Sequence, residues 1–152
     1  MKKVLGVVMV ACVVLGILYL VQREDADNLP IEIKPKQIVI NVNDRDLIVD
    51  LEDNTSALEF YNKLKDNHIT IEADDYGNFE KVGELGFELP TNDTYITTKA
   101  GDLILYEGNK ITLYYDTNSY RFTKLGRVTN MDGYDLKELL GDGSVKMTFS
   151  RK

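Results

Sequence analysis

The side chains that could do covalent chemistry are few. His68 is the only histidine and Cys12 the only cysteine in the chain. A serine or cysteine hydrolase needs a nucleophile within reach of a base that is itself oriented by a third group. No Gly-x-Ser-x-Gly elbow is present, and His68 alone would have to serve as the base. A histidine in front of the strand predicted from Ile69 needs no catalytic explanation. A zinc site fails on the same inventory. Asp44/Asp46 and Asp74/Asp75 pair acids without an Asp-x-Asp-x-Asp-Gly calcium loop, and alternating acids on a hairpin read as a solvated face. Gly77, Gly83 and Gly86 are not followed by the strand-to-helix Lys-Ser/Thr unit of a phosphate loop. No catalytic residue, metal or cofactor is expected.

What remains is a set of aromatic and polar residues with the chemistry of a binding surface. Tyr76, Phe79, Glu80, Thr97, Tyr106, Tyr115, Asn118, Ser119 and Arg121 are the candidate ligand-binding residues, with Phe87 and Tyr120 beside them. Aromatic walls with a few polar groups are the usual lining of a ligand pocket. The plainer alternative is that Phe79, Tyr106 and Tyr115 plug a core and that Asn118-Ser119 makes a turn. Glu80 is the most telling residue. It lies between Phe79 and Val82, where a plain core would take an apolar side chain, and Lys81, Lys99 and Arg121 are its candidate partners. The expected pocket centres on Phe79, Glu80 and Arg121.

The elements that must position these residues are mostly strands. Ile38, Ile40 and Val42 alternate, as do Leu47, Val49 and Leu51, and Asn43-Asp44 between them suits a two-residue hairpin turn. Residues 54–65 switch to helical spacing, with Ser56 and Glu59 as a capping box or Asp53 or Asn54 as the cap. Residues 68–73 return to strand alternation. Residues 75–101 are rich in glycine and read as loop rather than sheet. A second hairpin, residues 102–106 and 110–115, turns about Gly108-Asn109. A strand over residues 122–128, a helix over 134–140 ended by Gly141, and a strand over 144–150 complete the chain. Strands outnumber helices and no βαβ rhythm appears. The fold class is therefore mainly β: a closed barrel or sandwich with two short helices at its ends.

Five blocks in order carry a family resemblance: residues 75–83 (DYGNFEKVG), Leu89-Pro90, residues 97–102 (TTKAGD), residues 105–109 (LYEGN) and residues 118–128 (NSYRFTKLGRV). Together they resemble the bacterial cyclophilin-like domains, small and often exported domains of unassigned function. The resemblance spans about residues 37–152 and implies an eight-stranded cyclophilin-like β-barrel. It does not imply isomerase activity. True cyclophilins set an arginine beside the prolyl nitrogen among Phe, His, Gln and usually Trp. This chain has no Trp, its Tyr120 stands where the family usually has one, and none of Arg45, Arg121 and Arg127 sits in a Phe-x-x-x-Gln context.

Residues 4–21 are apolar apart from two glycines, Cys12 and Tyr19, and Lys2 and Lys3 precede them. As a helix this run would be about 27 Å long, slightly short of a hydrocarbon core of about 30 Å that Lys3 and Arg23 can bridge by snorkelling. The expectation is an N-terminal membrane anchor, residues 1–21, with a polar linker over 22–36 and the barrel domain over 37–152. Lipidation at Cys12 and a cleaved signal are the alternatives. The lysines in front place the N-terminus in the cytoplasm and the domain on the extracytoplasmic side of a bacterial membrane. All 25 acidic residues follow residue 21 while Lys2 and Lys3 precede it, leaving 16 basic against 25 acidic side chains, a net charge of −9. That field argues against nucleic acid as a partner and is compatible with a cationic ligand. The expected function is a membrane-tethered binding or interaction module for a peptide or small molecule, with a prolyl isomerase or chaperone for exported proteins as the alternative.

Overall fold

The computed structural model describes residues Pro35–Lys152. The apolar run at residues 4–21, its anchor reading and the Cys12 alternative lie outside the described residues. Among the described residues no helix is long and apolar enough to cross a membrane.

Nine strands and two helices follow one another. The order is β1 (Gln37–Val42), β2 (Arg45–Leu51), α1 (Thr55–Lys63), β3 (Ile69–Tyr76), β4 (Glu80–Glu84), β5 (Thr94–Thr97), β6 (Asp102–Tyr106), β7 (Lys110–Tyr114), β8 (Ser119–Val128), α2 (Gly133–Leu140) and β9 (Val145–Arg151). Eight strands form a ring in the order β2-β1-β9-β3-β4-β7-β6-β8, and β8 closes on β2 through Val49–Val128, Asp50–Arg127 and Leu51–Gly126. All the pairings are antiparallel. The fold is a closed eight-stranded antiparallel barrel. β5 stands outside the ring and pairs only with the first half of β8.

Local chemistry explains the elements. Asn43 and Asp44 take φ of 49° and 60°, the double left-handed step of a type I′ turn, so β1 and β2 pair in register from Val42–Arg45 to Gln37–Asp50. Ile38, Ile40, Leu47, Val49, Met147 and Phe149 are wholly buried on the barrel's inner side, as the period of two requires. Asn54 caps α1 by accepting from the Ala57 amide, so the cap is the asparagine and not the Ser56–Glu59 box. Ser56 instead donates to the Pro90 carbonyl. Phe60 of α1 meets Phe149 edge to face at 5.5 Å. Leu136 and Leu140 of α2 enter the same core cluster.

Residues 75–101 correct the loop expectation. β3 runs on to Tyr76, and β4 and β5 both fall inside this stretch. Gly77 and Asn78, with φ of 61° and 58°, form the turn of a β3–β4 hairpin. Gly83 lies within β4, at a position where a Cβ would meet the Glu72 carbonyl oxygen at 2.5 Å. That glycine marks a close strand approach and not a break in the sheet. The second hairpin turns on Glu107 and Gly108, both at positive φ, one residue earlier than expected.

Candidate functional site

Strand parity places the site. On β4, Lys81 and Gly83 face the barrel interior, while Glu80, Val82 and Glu84 face outward. Cross-strand pairing puts Tyr114, Thr112 and Lys110 of β7 opposite those three. Ile104 and Tyr106 of β6 pair in turn with Thr112 and Lys110 and share their face. A second hydrophobic cluster therefore sits on the outer wall: Ile104, Tyr114 and Phe122 are buried there, with Phe79, Ile96 and Tyr106 packed around them. Phe79 stacks on Tyr114 at 6.1 Å, Tyr114 tilts against Phe122 at 5.8 Å, and Tyr106 and Tyr120 meet Phe122 at 6.1 Å and 5.6 Å. Beside this cluster runs a groove of about 860 Å³, lined by Tyr76, Glu80, Val82, Glu84, Tyr106, Lys110, Tyr114, Asn118, Tyr120 and Phe122, with β3 residues from Thr70 to Asp74 along one side.

Glu80 sits in the wall of this groove and is only 8% exposed. Its Oε2 has no hydrogen-bond partner. Burial raises the carboxyl above the ordinary glutamate range, against a smaller opposing pull from the Tyr114 hydroxyl. The Tyr114 phenol is itself raised well above the usual tyrosine range, by burial first and by Glu80 second, with Asn118 pulling the other way. Asn118 is held by a turn in which its carbonyl accepts from the Thr98 amide at 2.8 Å and its own amide donates to Thr98 Oγ1 at 2.8 Å.

The sequence profile of the cyclophilin-like family matches residues 40–150. The chain belongs to the cyclophilin-like family. The solution structure of the hypothetical protein AF2241 from Archaeoglobus fulgidus is similar in fold, with a TM-score of 0.58 and 16% identity, over 82% of this chain and 100% of that one. No functionally curated protein shows significant similarity to the chain.

In this cyclophilin-like domain the expected site residues divide into three groups. Tyr76, Glu80, Tyr106 and Asn118 line the groove, together with Tyr120, and Phe79 backs it through Tyr114. Thr97 and Ser119 bond each other at 2.8 Å on the exposed β5–β8 ladder, and Arg121 donates to the Asp93 carbonyl at 3.2 Å; none of these three lines the groove. Of the expected centre of Phe79, Glu80 and Arg121, Glu80 lines the groove, Phe79 stacks behind it on Tyr114, and Arg121 lies outside. Tyr115 lies on the opposite side of its strand from Tyr114, in the main core, where its hydroxyl donates to Asp75 Oδ2 at 2.6 Å. The expected ion pairs of Glu80 are not formed: Lys81 points inward, the Lys99 amide and Asp102 form their own turn, and Arg121 is on another face.

Two features of the cyclophilin-like barrel escaped the sequence reading. Tyr114 and Phe122 wall the site, and the signal for Tyr114 was the strict alternation from Lys110 to Tyr114. Lys81 is wholly buried, with Nζ donating to Asp75 Oδ2 at 2.8 Å, Gly141 O at 2.8 Å and Gly143 O at 2.7 Å. All three ammonium donors are used, so this interior charge ties the 141–143 turn to the barrel. For Asp75, partial burial would raise the carboxyl, but hydrogen bonds from Lys81 and Tyr115 outweigh it and hold it below the usual aspartate range. The family-like TTKAGD block is likewise structural: Asp102 accepts from the Lys99 amide at 2.8 Å and from Arg127 at 2.6 Å.

Proposed function

We propose that this domain is a binding module that takes a small organic molecule or a peptide side chain in its outer-wall groove. The observation that carries this reading is an aromatic cluster built on the outside of a barrel whose inside is already filled. Ile104, Tyr114 and Phe122 are 0%, 1% and 5% exposed, although they lie on the wall that faces away from the main core. Tyr114 and Phe122 border a groove of about 860 Å³, within the usual range of roughly 300–1,000 Å³ for ligand pockets. Arg121, one of the three arginines weighed for the isomerase alternative, bonds to the Asp93 carbonyl outside the groove. Binding without catalysis is the reading the geometry favours.

The module's proposed setting is the extracytoplasmic face of a bacterial membrane, with residues 4–21 as the tether. Protease added to intact cells should remove the domain, and its survival would refute that placement. Binding is tested by screening fragments at millimolar concentration against the full-length protein by NMR. Saturable shifts are expected at Tyr106, Asn118 and Tyr120 and should disappear in Val82→Trp, which fills the groove. A diverse set that leaves those resonances unmoved refutes the binding reading.

A further inference from the structure

We propose that the groove recognises an organic cation, an ammonium or guanidinium on an apolar stem, with the Glu80 carboxylate as its counter-ion. The proposal rests on the binding reading above and names the chemistry of its ligand. Among the described residues, two buried side-chain polar atoms lack a hydrogen-bond partner: Glu80 Oε2 and Thr112 Oγ1. Buried polar groups are nearly always satisfied, so each exception calls for a reason. Here the two exceptions are neighbours. Glu80 pairs with Tyr114 and Thr112 pairs with Val82, which sets both on one face of the β4–β7 ladder at diagonal positions. Glu80 is 8% exposed and Thr112 2%, and the Glu80 carboxyl borders the groove.

The surroundings select the partner by sign. The aromatic rings of Tyr106, Tyr114, Tyr120 and Phe122 line the groove, and an aromatic ring attracts a cation placed over its face. Glu72, Asp74 and Glu84 along the same groove add negative charge. Lys110 is the one cationic lining residue, and it is engaged by Glu107 at 2.6 Å. An anion would meet repulsion from most of this lining. A neutral amide could donate to Glu80 yet would leave its charge unbalanced in a buried setting. An N–H-bearing cation supplies both the donor and the charge, and Val82 and Phe122 suit an apolar stem. Burial raises the free carboxyl above the ordinary glutamate range, and a cation that binds the ionised form pulls it back down. Affinity should then fall as pH is lowered through the Glu80 titration. The titratable groups that line the groove with Glu80 are Glu72, Asp74 and Tyr76 from β3, Tyr114 and Lys110 from β7, Tyr106 from β6 and Tyr120 from β8, with Glu84 on its own strand.

The test is an NMR titration of the full-length protein with n-butylammonium and n-butylguanidinium as free cations, blocked lysine methylamide as a peptide-borne cation, and 1-butanol as the neutral isostere. Saturable shifts at Glu80, Tyr114 and Asn118 with the cations but not with butanol uphold the proposal. Tighter binding of blocked lysine then points to a peptide side chain, and tighter binding of the free amine points to a small metabolite. Glu80→Gln should weaken cation binding about tenfold or more, the size expected for losing a charge-assisted hydrogen bond. Glu59→Gln, which removes the same charge from the exposed face of α1, should not. Equal losses in both variants would mean a diffuse acidic field and overturn the proposal. Should Glu80→Gln fail to fold, the pH dependence of cation binding by the unmodified protein decides, and a flat profile overturns the proposal. Equal binding of butanol and butylammonium overturns the cation claim while leaving the binding reading intact. No groove shift from any probe or fragment overturns both.

Discussion

Replacing Glu80 by glutamine should stabilise the protein at neutral pH, and the gain should vanish in acid. The carboxylate is 8% exposed with one oxygen unpartnered. A buried polar group left unsatisfied costs about 1–3 kcal/mol, and more when charged. Glutamine keeps the shape and removes the charge, so a gain of about 1–3 kcal/mol is expected, or about 4–12 °C in Tm for a domain of this size. The pH dependence follows from the direction of the shift. In the folded protein the carboxyl is raised above its reference value of 4.5, so the folded state holds this proton to higher pH than the unfolded chain does. The protonated carboxyl's contribution to stability is complete below the unfolded value and is lost as pH rises through the folded one. Glutamine does not titrate. The two proteins should therefore be about equally stable near the acid end and diverge as pH rises. Asp75 and the other acids contribute equally to both and cancel in the difference. Thermal melts of both proteins from about pH 4 to about pH 8 make the measurement. A constant offset across that range, or a glutamine variant less stable at neutral pH, would refute the claim that the hydrogen bond from Tyr114 leaves the buried Glu80 charge under-compensated.

Two further perturbations probe the frame around the site. Lys81→Met removes all three donors that hold Asp75 and the Gly141 and Gly143 carbonyls; it should cost about 3 kcal/mol and speed amide exchange in the 141–143 turn ahead of the rest of the barrel, and an unchanged Tm would show that the interior pair is dispensable. Gly126→Ala sets a Cβ 2.4 Å from the Asp50 carbonyl oxygen at the β2–β8 seam; a loss of about 1–3 kcal/mol in denaturant melts is expected, and none would show that the closing seam yields freely.

Much of the fold was legible because its determinants are local. Asn43-Asp44 specifies its own turn, and the alternation of Ile38, Ile40 and Val42 specifies which face is buried. Residues 75–101 were misread because the role of Gly83 depends on Glu72, a neighbour brought in by the β3–β4 approach. The site was legible only in part for the same reason. Glu80 stood out as a charge among apolar neighbours, and Tyr76, Tyr106 and Asn118 belong with it in the groove. The choice between Tyr114 and Tyr115 is a matter of parity. It is settled only when β7 is set in register against β4, which places Tyr114 opposite Glu80 and sends Tyr115 to Asp75. Arg121 looked like a partner because it is near in type and block, but β8 pairs it with Tyr95 of β5, away from the groove.

Glu80 and Lys81 are adjacent, oppositely charged, and turned to opposite sides of one strand. This arrangement works as a proofreading device during assembly. A slip of one residue would exchange the two faces of β4. The glutamate would then face the carbonyls of Gly141 and Gly143, which it cannot bond when ionised, and the ammonium would leave its three acceptors for the aromatic wall. Both errors carry a penalty, and neither is relieved unless the other is. A strand that joins β3 to β7 by only a handful of pairs thus has its facing fixed by two neighbouring side chains. The tight turn at Gly77-Asn78 has only to bring it close.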